Sequence, residues 1–228
     1  TGSHDLALDF LSTTLKKYDT NLGISSAHVV SMGGVMAIRQ REAHIAGVHL
    51  LDKETGTYNV SFIHKYFPQN DVVLVHLAMR EQGLMVQKGN PLGIQTVKDL
   101  AEKKASYLNR QKGAGTRLLF DFLLEQAGVT PQEIYGYERE EYSHLNVAAA
   151  IEAGTADAGM GILSAANAYG LDFIPVAQEE YDLLMTKTFY HSDMGQLLVK
   201  AIQDPAYRQE IEALGGYSLQ ESGKIIPL

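Results

Sequence analysis

Apolar residues at Leu6, Leu8, Phe10, Leu11 and Leu15 recur at helical spacing and predict a first helix reaching about Tyr18, with Ser3 or Asp5 as its cap. A strand at Ser26–Val30 then runs into the turn Ser31-Met32-Gly33-Gly34, which opens a helix from Val35 to about Arg41. Ala46–Leu51 reads as a buried strand, Asn59–Tyr66 as a helix or irregular segment, and Val72–Met79 and Gly83–Val86 as two strands leading to Gly89-Asn90-Pro91. Beyond them, Thr96 caps a helix through Lys104, Ser106–Leu108 is a strand, and Leu118–Ala127 is a helix. Ile134–Tyr137 follows, then a turn at Tyr142-Ser143-His144, a helix Leu145–Ala153 and a strand Asp157–Ile162. Phe173–Val176 and Tyr181–Met185 complete the sheets, and a helical region from Met194 to Ala213 closes the chain.

Strands alternating with helices indicate α/β architecture. An internal repeat adds to this. Gly2-Ser3 and Gly115-Thr116 each precede a helix carrying Asp-Phe-Leu, and Ala37-Ile38 with Ala46-Gly47 matches Ala150-Ile151 with Ala158-Gly159. Gly2 to Gly115 and Ala37 to Ala150 share a displacement of 113 residues, as expected of a duplicated lobe. The same displacement takes Ser31 to His144, beside Ser143.

Candidate chemistry centres on Asn109–Arg117. Arg110, Lys112 and Arg117, with Gly113 and Gly115, sit at a helix start where Thr116 is expected as N-cap. Free N–H groups at the positive end of a helix dipole make such a loop an anion cradle. It is neither a P-loop, since Thr116-Arg117 follows Gly115 in place of Lys-Ser/Thr, nor the G-x-G-x-x-G of a dinucleotide fold. Read alone, it is equally a tight turn with a good cap. Four short polar turns, at Ser3, Ser31 with Gly33, Gly115-Thr116 and Ser143-His144, each lie at a helix start. In open α/β sheets, ligands bind beyond the carboxyl ends of the strands, where such turns gather. Ser and Thr hydroxyls would hold an oxyanion while Arg110 or Arg117 supplies charge and paired donors.

Composition narrows the ligand class. The 228 residues carry a formal net charge of -8, which argues against nucleic acid or an anionic membrane as partner and makes any anion site local. The longest apolar run, around Val72–Met79, is too short to span a bilayer. There is no cysteine, so disulfides, thiolate metal sites and thiol catalysis are excluded. The chain begins at Thr1 without Met or a signal peptide, so it is expected to be processed or cut from something longer. Gly2-Ser3-His4 also has the look of an expression-tag scar.

Together, Gly2–Asp5, Ser31–Gly34 with Arg39 and Ala46–Asp52, Arg80–Leu84, Gly89–Pro91, Asn109–Arg117, Ser143–Leu145 and Tyr181-Asp182 resemble the periplasmic-binding-protein-like domain fused to MoeA-type molybdopterin-biosynthesis proteins or to DNA-binding regulators. More distantly, the cradle resembles that of tungstate- and molybdate-binding proteins. The resemblance covers nearly the whole chain and favours Gly2–Asp5 as native. It implies a type 2 periplasmic-binding-protein fold: two α/β lobes with mixed sheets, joined by two crossing strands around a ligand cleft. Lobe 1 is expected at 1–81 plus 182–228 and lobe 2 at 82–181. Matched turn by turn, it implies ligand contacts from Ser3, Ser31, Thr116, Arg117 and Ser143; the residues' own chemistry adds His4, Gly33, Arg110, Gly115, His144 and Tyr181 as candidates, and no catalytic residue, metal or cofactor is expected. The expected function is non-catalytic capture of a small anion, most plausibly molybdate or tungstate or a molybdopterin-related ligand, in molybdenum-cofactor biosynthesis or its regulation. A fused or partner domain would carry out any further step, and a cytoplasmic location is expected.

The competing reading is an enzyme performing phosphoryl or acyl chemistry. Ser3-His4-Asp5 cannot form a triad, whose members converge from separate loops, and no G-x-S-x-G elbow occurs. His44 and His49 lack metal-pair spacing, and His49 reads as a satisfied core histidine. Glu138, Glu140 and Glu141 read as a solvated face, Arg39-Gln40-Arg41 as a helix end, and Tyr181 equally as packing residue or ligand contact.

Overall fold

In the computed structural model, which describes residues 1–228, helix α1 (Leu6–Tyr18) is capped by Asp5, whose carboxylate accepts the Ala7 N–H at 2.8 Å. The next elements are α2 (Val30–Arg39), β1 (Ile45–Val48), α3 (Val60–Tyr66) and β2 (Val72–Val86). Helix α4 (Val97–Glu102) starts in a capping box between Thr96 and Asp99. Then come β3 (Tyr107–Arg110), α5 (Gly115–Ala127), a short 3-10 turn at Pro131–Glu133, β4 (Glu140–Glu141), α6 (His144–Glu152), β5 (Ala158–Ile162) and α7 (Leu163–Ala168). Strand β6 (Asp172–Thr186), helices α8 (Lys187–Tyr190), α9 (Asp193–Ile202) and α10 (Pro205–Glu212), and short strands β7 (Tyr217–Ser218) and β8 (Ile225–Ile226) end the chain. The Thr96 cap should matter little but measurably: Thr96→Ala is expected to cost about 1 kcal/mol and lower the melting temperature by roughly 2–4 °C in a calorimetric scan.

Strand pairing is mixed, with β1 antiparallel to β6, β2 antiparallel to β5 and to β8, and β3 parallel to both β4 and β5. The chain divides into two compact units: Thr1–Met79 with Glu179–Leu228, and Arg80–Gln178. The expected boundaries at 81/82 and 181/182 therefore move a few residues earlier, which assigns Tyr181 to the first unit. In that unit α1, α9 and α10 bury Leu8, Leu11, Ile202 and Ile211 with Val75, Leu77, Leu183 and Met185 from the strands. In the second, Phe120 of α5 stacks on Tyr107 with ring centroids 4.3 Å apart, and Val147, Ile151 and Met160 are fully buried beside them.

Several expected elements are corrected. Ser26–Val30 forms no strand, because the place beside β1 is taken by the chain's own start. Gly2 pairs in parallel with Gly47, the Ser3 N–H reaching Gly47 O and the Gly47 N–H reaching Thr1 O, both at 3.0 Å. Helix α2 begins five residues before Val35, so Ser31 and Gly33 lie in its first turn and not in a loop before it. Val72–Met79 and Gly83–Val86 join into the single strand β2, and Phe173–Val176 and Tyr181–Met185 into β6, each running unbroken for 15 residues. Ile134–Tyr137 is irregular, and the terminal helical region splits in two at Pro205, where Asp204 caps the second helix.

Candidate functional site

In the first unit, β1 carries the chain from Gly47 to His49, the centre of a buried chain of hydrogen bonds. His49 Nε2 lies 2.8 Å from Ser3 Oγ and Nδ1 lies 2.9 Å from Glu179 Oε2, with the imidazole and carboxylate side chains each 1% exposed. A carboxylate can only accept, so Nδ1 carries the proton, and in the neutral ring Nε2 accepts the Ser3 hydroxyl hydrogen. The backbone N–H of His49 donates to Ser31 Oγ at 3.2 Å. Ser3 and Ser31 are thus brought to the same histidine, the residue read from sequence as a satisfied core histidine.

Tyr181 and His4 each have partners near the Ser3 turn. The Tyr181 hydroxyl donates to the Ser3 carbonyl at 2.5 Å, and its ring is fully buried, so it braces the turn that carries Ser3. His4 lies against His28 with the rings tilted and their centroids 4.1 Å apart, and it pairs with Asp9 at 3.0 Å on the outer side of α1. Burial, aided by the neighbouring His4, pushes the His28 pKa down. Gly33 lies within α2, whose N-cap residue Val29 provides no side-chain cap. Val30 opens that helix at φ 62°, a left-handed conformation that a β-branched residue adopts only under strain.

In the second unit, α5 starts at Gly115 with Ala114 as N-cap and no side-chain cap. Thr116 is therefore not the cap. It is the second residue of the helix, and its Oγ1 accepts from Gln82 Nε2 at 3.0 Å. This also breaks the expected equivalence with Ser3, which lies two residues before the N-cap of α1. The second pair of turns differs too, since Ser31 lies inside α2 whereas Ser143 is the N-cap of α6, its Oγ accepting the Asn146 N–H at 3.0 Å. His144 is the first residue of α6 and is buried.

The two arginines separate by partner. Arg117 pairs with Glu140, donates to the Arg110 carbonyl at 3.2 Å and lies 4.7 Å from the Tyr137 ring centroid. Burial works against its charge, but Tyr137 and Glu140 outweigh that effect and hold its pKa above that of an ordinary guanidinium. Glu140, expected on a solvated face, is thus an ion-pair partner. Arg110 donates from Nε to Gln111 Oε1 and the Glu141 carbonyl, and from Nη2 to the Tyr142 carbonyl at 3.1 Å. Those bonds orient the guanidinium. They also tie it to the segment that ends in Ser143.

Sequence reasoning missed Gln82 and Glu179 as site residues. Gln82 lay inside the Arg80–Leu84 motif, but only the pairing of β2 shows that its side chain reaches Thr116. No group of three or more His, Asp or Glu is placed to hold a metal ion.

Residues 12–203 match the family described as a PBP superfamily domain. The uncharacterized protein YvgK of Bacillus subtilis is 32% identical over 229 residues, spanning 99% of this chain and 72% of that protein. A structure from Clostridium perfringens described as a phosphate ABC transporter substrate-binding protein with bound phosphate aligns with a TM-score of 0.71 at 13% identity, covering 93% of this chain and 95% of that one. A tungstate ABC transporter structure from Geobacter sulfurreducens aligns with a TM-score of 0.66 at 16% identity, covering 91% and 94%. Arginine-binding proteins are among the further structures that share the fold. At such identities the solved structures establish the fold, which is the type 2 periplasmic-binding-protein fold expected from the sequence.

Proposed function

The chain belongs to the PBP superfamily domain family, and from that premise we propose that it captures a small tetrahedral oxyanion. Its family and fold are those of substrate-binding proteins, not enzymes. The observation that carries the anionic reading is the polarity of two hydroxyls at helix starts of the second unit. Thr116 and Ser143 each accept a hydrogen bond from a protein N–H, of Gln82 and Asn146 respectively. A hydroxyl has one hydrogen and two lone pairs, and a bond accepted from an N–H leaves that hydrogen available to donate. A deprotonated oxyanion is acceptor-only and needs such donors. The side-chain-uncapped first turn of α5 supplies further N–H groups at a positive helix end, and Arg110 supplies charge.

Molybdate and tungstate are the first ligands to test, with phosphate as the principal competitor. In this proposal the protein is a cytoplasmic sensor read out by a fused or partner domain, of molybdopterin-biosynthesis or DNA-binding type. Thermal unfolding with molybdate, tungstate, sulfate, phosphate and, as a non-oxyanion control, L-arginine tests it. A ligand at a hundredfold excess over Kd stabilises by about 2.7 kcal/mol, a rise of roughly 5–10 °C for a chain of this size. If none of the four oxyanions moves the transition, the oxyanion reading fails and a larger molybdopterin-related anion takes its place.

A further inference from the structure

We infer that Gln82, on strand β2, is a positioning residue for the oxyanion site, and that it acts by fixing Thr116 as a hydrogen-bond donor. The inference rests on the oxyanion reading and goes further by assigning the donor polarity of the site to a residue that need not touch the ligand.

The two side chains meet in the interior of the second unit. Gln82 is fully buried and Thr116 is 1% exposed, with Gln82 Nε2 3.0 Å from Thr116 Oγ1. Gln82 is held in register by the antiparallel ladder of β2 and β5, opposite Ile162. The next residue, Gly83, allows the segment at Phe173-Ile174 to press against the strand, where any Cβ would collide with the Ile174 carbonyl and the Phe173 ring. The strand that presents Gln82 is therefore tightly located. Thr116, in turn, is fixed by its place in the first turn of α5.

The chemistry follows from the donor inventory. A carboxamide has a donor end and an acceptor end, and here the donor end faces Thr116. With its oxygen accepting from Gln82, the Thr116 hydroxyl keeps its hydrogen for a partner other than Gln82. A glutamate in place of Gln82 would reverse this. The carboxylate accepts only, so it would take the Thr116 hydrogen and add a negative charge beside the anion. A methionine of similar length would leave the hydroxyl free to rotate.

The test measures tungstate and phosphate affinity by isothermal titration calorimetry for wild type, Gln82→Met, Gln82→Glu, Thr116→Val and the Gln82→Met/Thr116→Val double variant, with melting temperatures recorded alongside. We expect Gln82→Met to weaken binding on the order of tenfold and Gln82→Glu to weaken it further. In the Thr116→Val background, Gln82→Met should change affinity less than about twofold, because the hydroxyl it orients is gone. A purely structural role for Gln82 would instead weaken binding equally in both backgrounds and would overturn the inference. A Gln82→Glu protein that binds like wild type would also overturn it, by showing that the acceptor end of the side chain faces Thr116. Wild type that binds neither anion would sink the oxyanion reading itself, and the inference with it. That failure is distinguishable from the others, in which wild type binds.

Discussion

A Gly47→Ala protein is expected to melt roughly 6–12 °C below wild type, the result of overpacking worth about 3 kcal/mol in a chain of this length. A Cβ at position 47 would fall far inside contact with the Tyr181 hydroxyl and 2.8 Å from the Ser3 carbonyl, and both neighbours are buried. Neither can retreat easily. Tyr181 is fully buried among the core side chains of its unit, and Ser3 is held by its N–H bond to the Gly47 carbonyl. Tyr181→Phe alone gives up its hydrogen bond to Ser3 at about 1 kcal/mol, yet it removes the atom nearest the new methyl. The Gly47→Ala/Tyr181→Phe pair should therefore melt above Gly47→Ala, a sign reversal that independent sites do not produce. Strictly additive losses in differential scanning calorimetry would show that the clash with Tyr181 is not what makes glycine necessary.

The arginines give the second large effect, with opposite signatures. Arg110→Met is expected to weaken oxyanion binding on the order of a hundredfold, as for loss of charge-assisted hydrogen bonds worth about 3 kcal/mol. Glu140→Gln should leave affinity within about threefold but cost about 3 kcal/mol of stability, because it leaves the Arg117 guanidinium buried without its carboxylate. Chemical denaturation and calorimetry on the same two proteins separate the outcomes. Should Glu140→Gln lose the anion while Arg110→Met retains it, Arg117 holds the ligand and Arg110 is the structural residue.

Local rules made part of this legible. Asp5, Thr96 and Ser143 each precede a helical apolar pattern, and each caps a helix, because capping depends on residues within one turn of one another. The cradle at Thr116 was legible as a helix start but not in its register. Ala114 fills the N-cap position without a side-chain bond, and Thr116 is drawn to Gln82, which is far away in sequence. The gaps left between strands at residues 80–82 and 177–180 are closed, because β2 and β6 continue through both. Gly83 is there to admit a close neighbour, a reason that lies in pairing and not in local propensity. The link between Ser3, His49 and Glu179 joins three distant parts of the sequence, and no spacing rule reaches across such separations. The conclusion that adjacent Ser3-His4-Asp5 form no triad agrees with the structure, in which His4 pairs with Asp9 while the histidine at Ser3 is His49.

The division of the chain at residues 79 and 178 has a bearing on how the protein can be made and dissected. The second unit is one uninterrupted stretch, whereas the first is assembled from both ends of the polypeptide. Strand β1 finds its antiparallel partner only at residues 182–185. A nascent chain emerging from a ribosome therefore holds all of the second unit before it holds the partner strand of the first. Likewise, any truncation that removes the last fifty residues also strips the first unit of Glu179, Tyr181 and Asp182. Neither half of the gene encodes a complete first unit, so only a version that rejoins the two ends could present Ser3, Ser31 and His49 in their native setting.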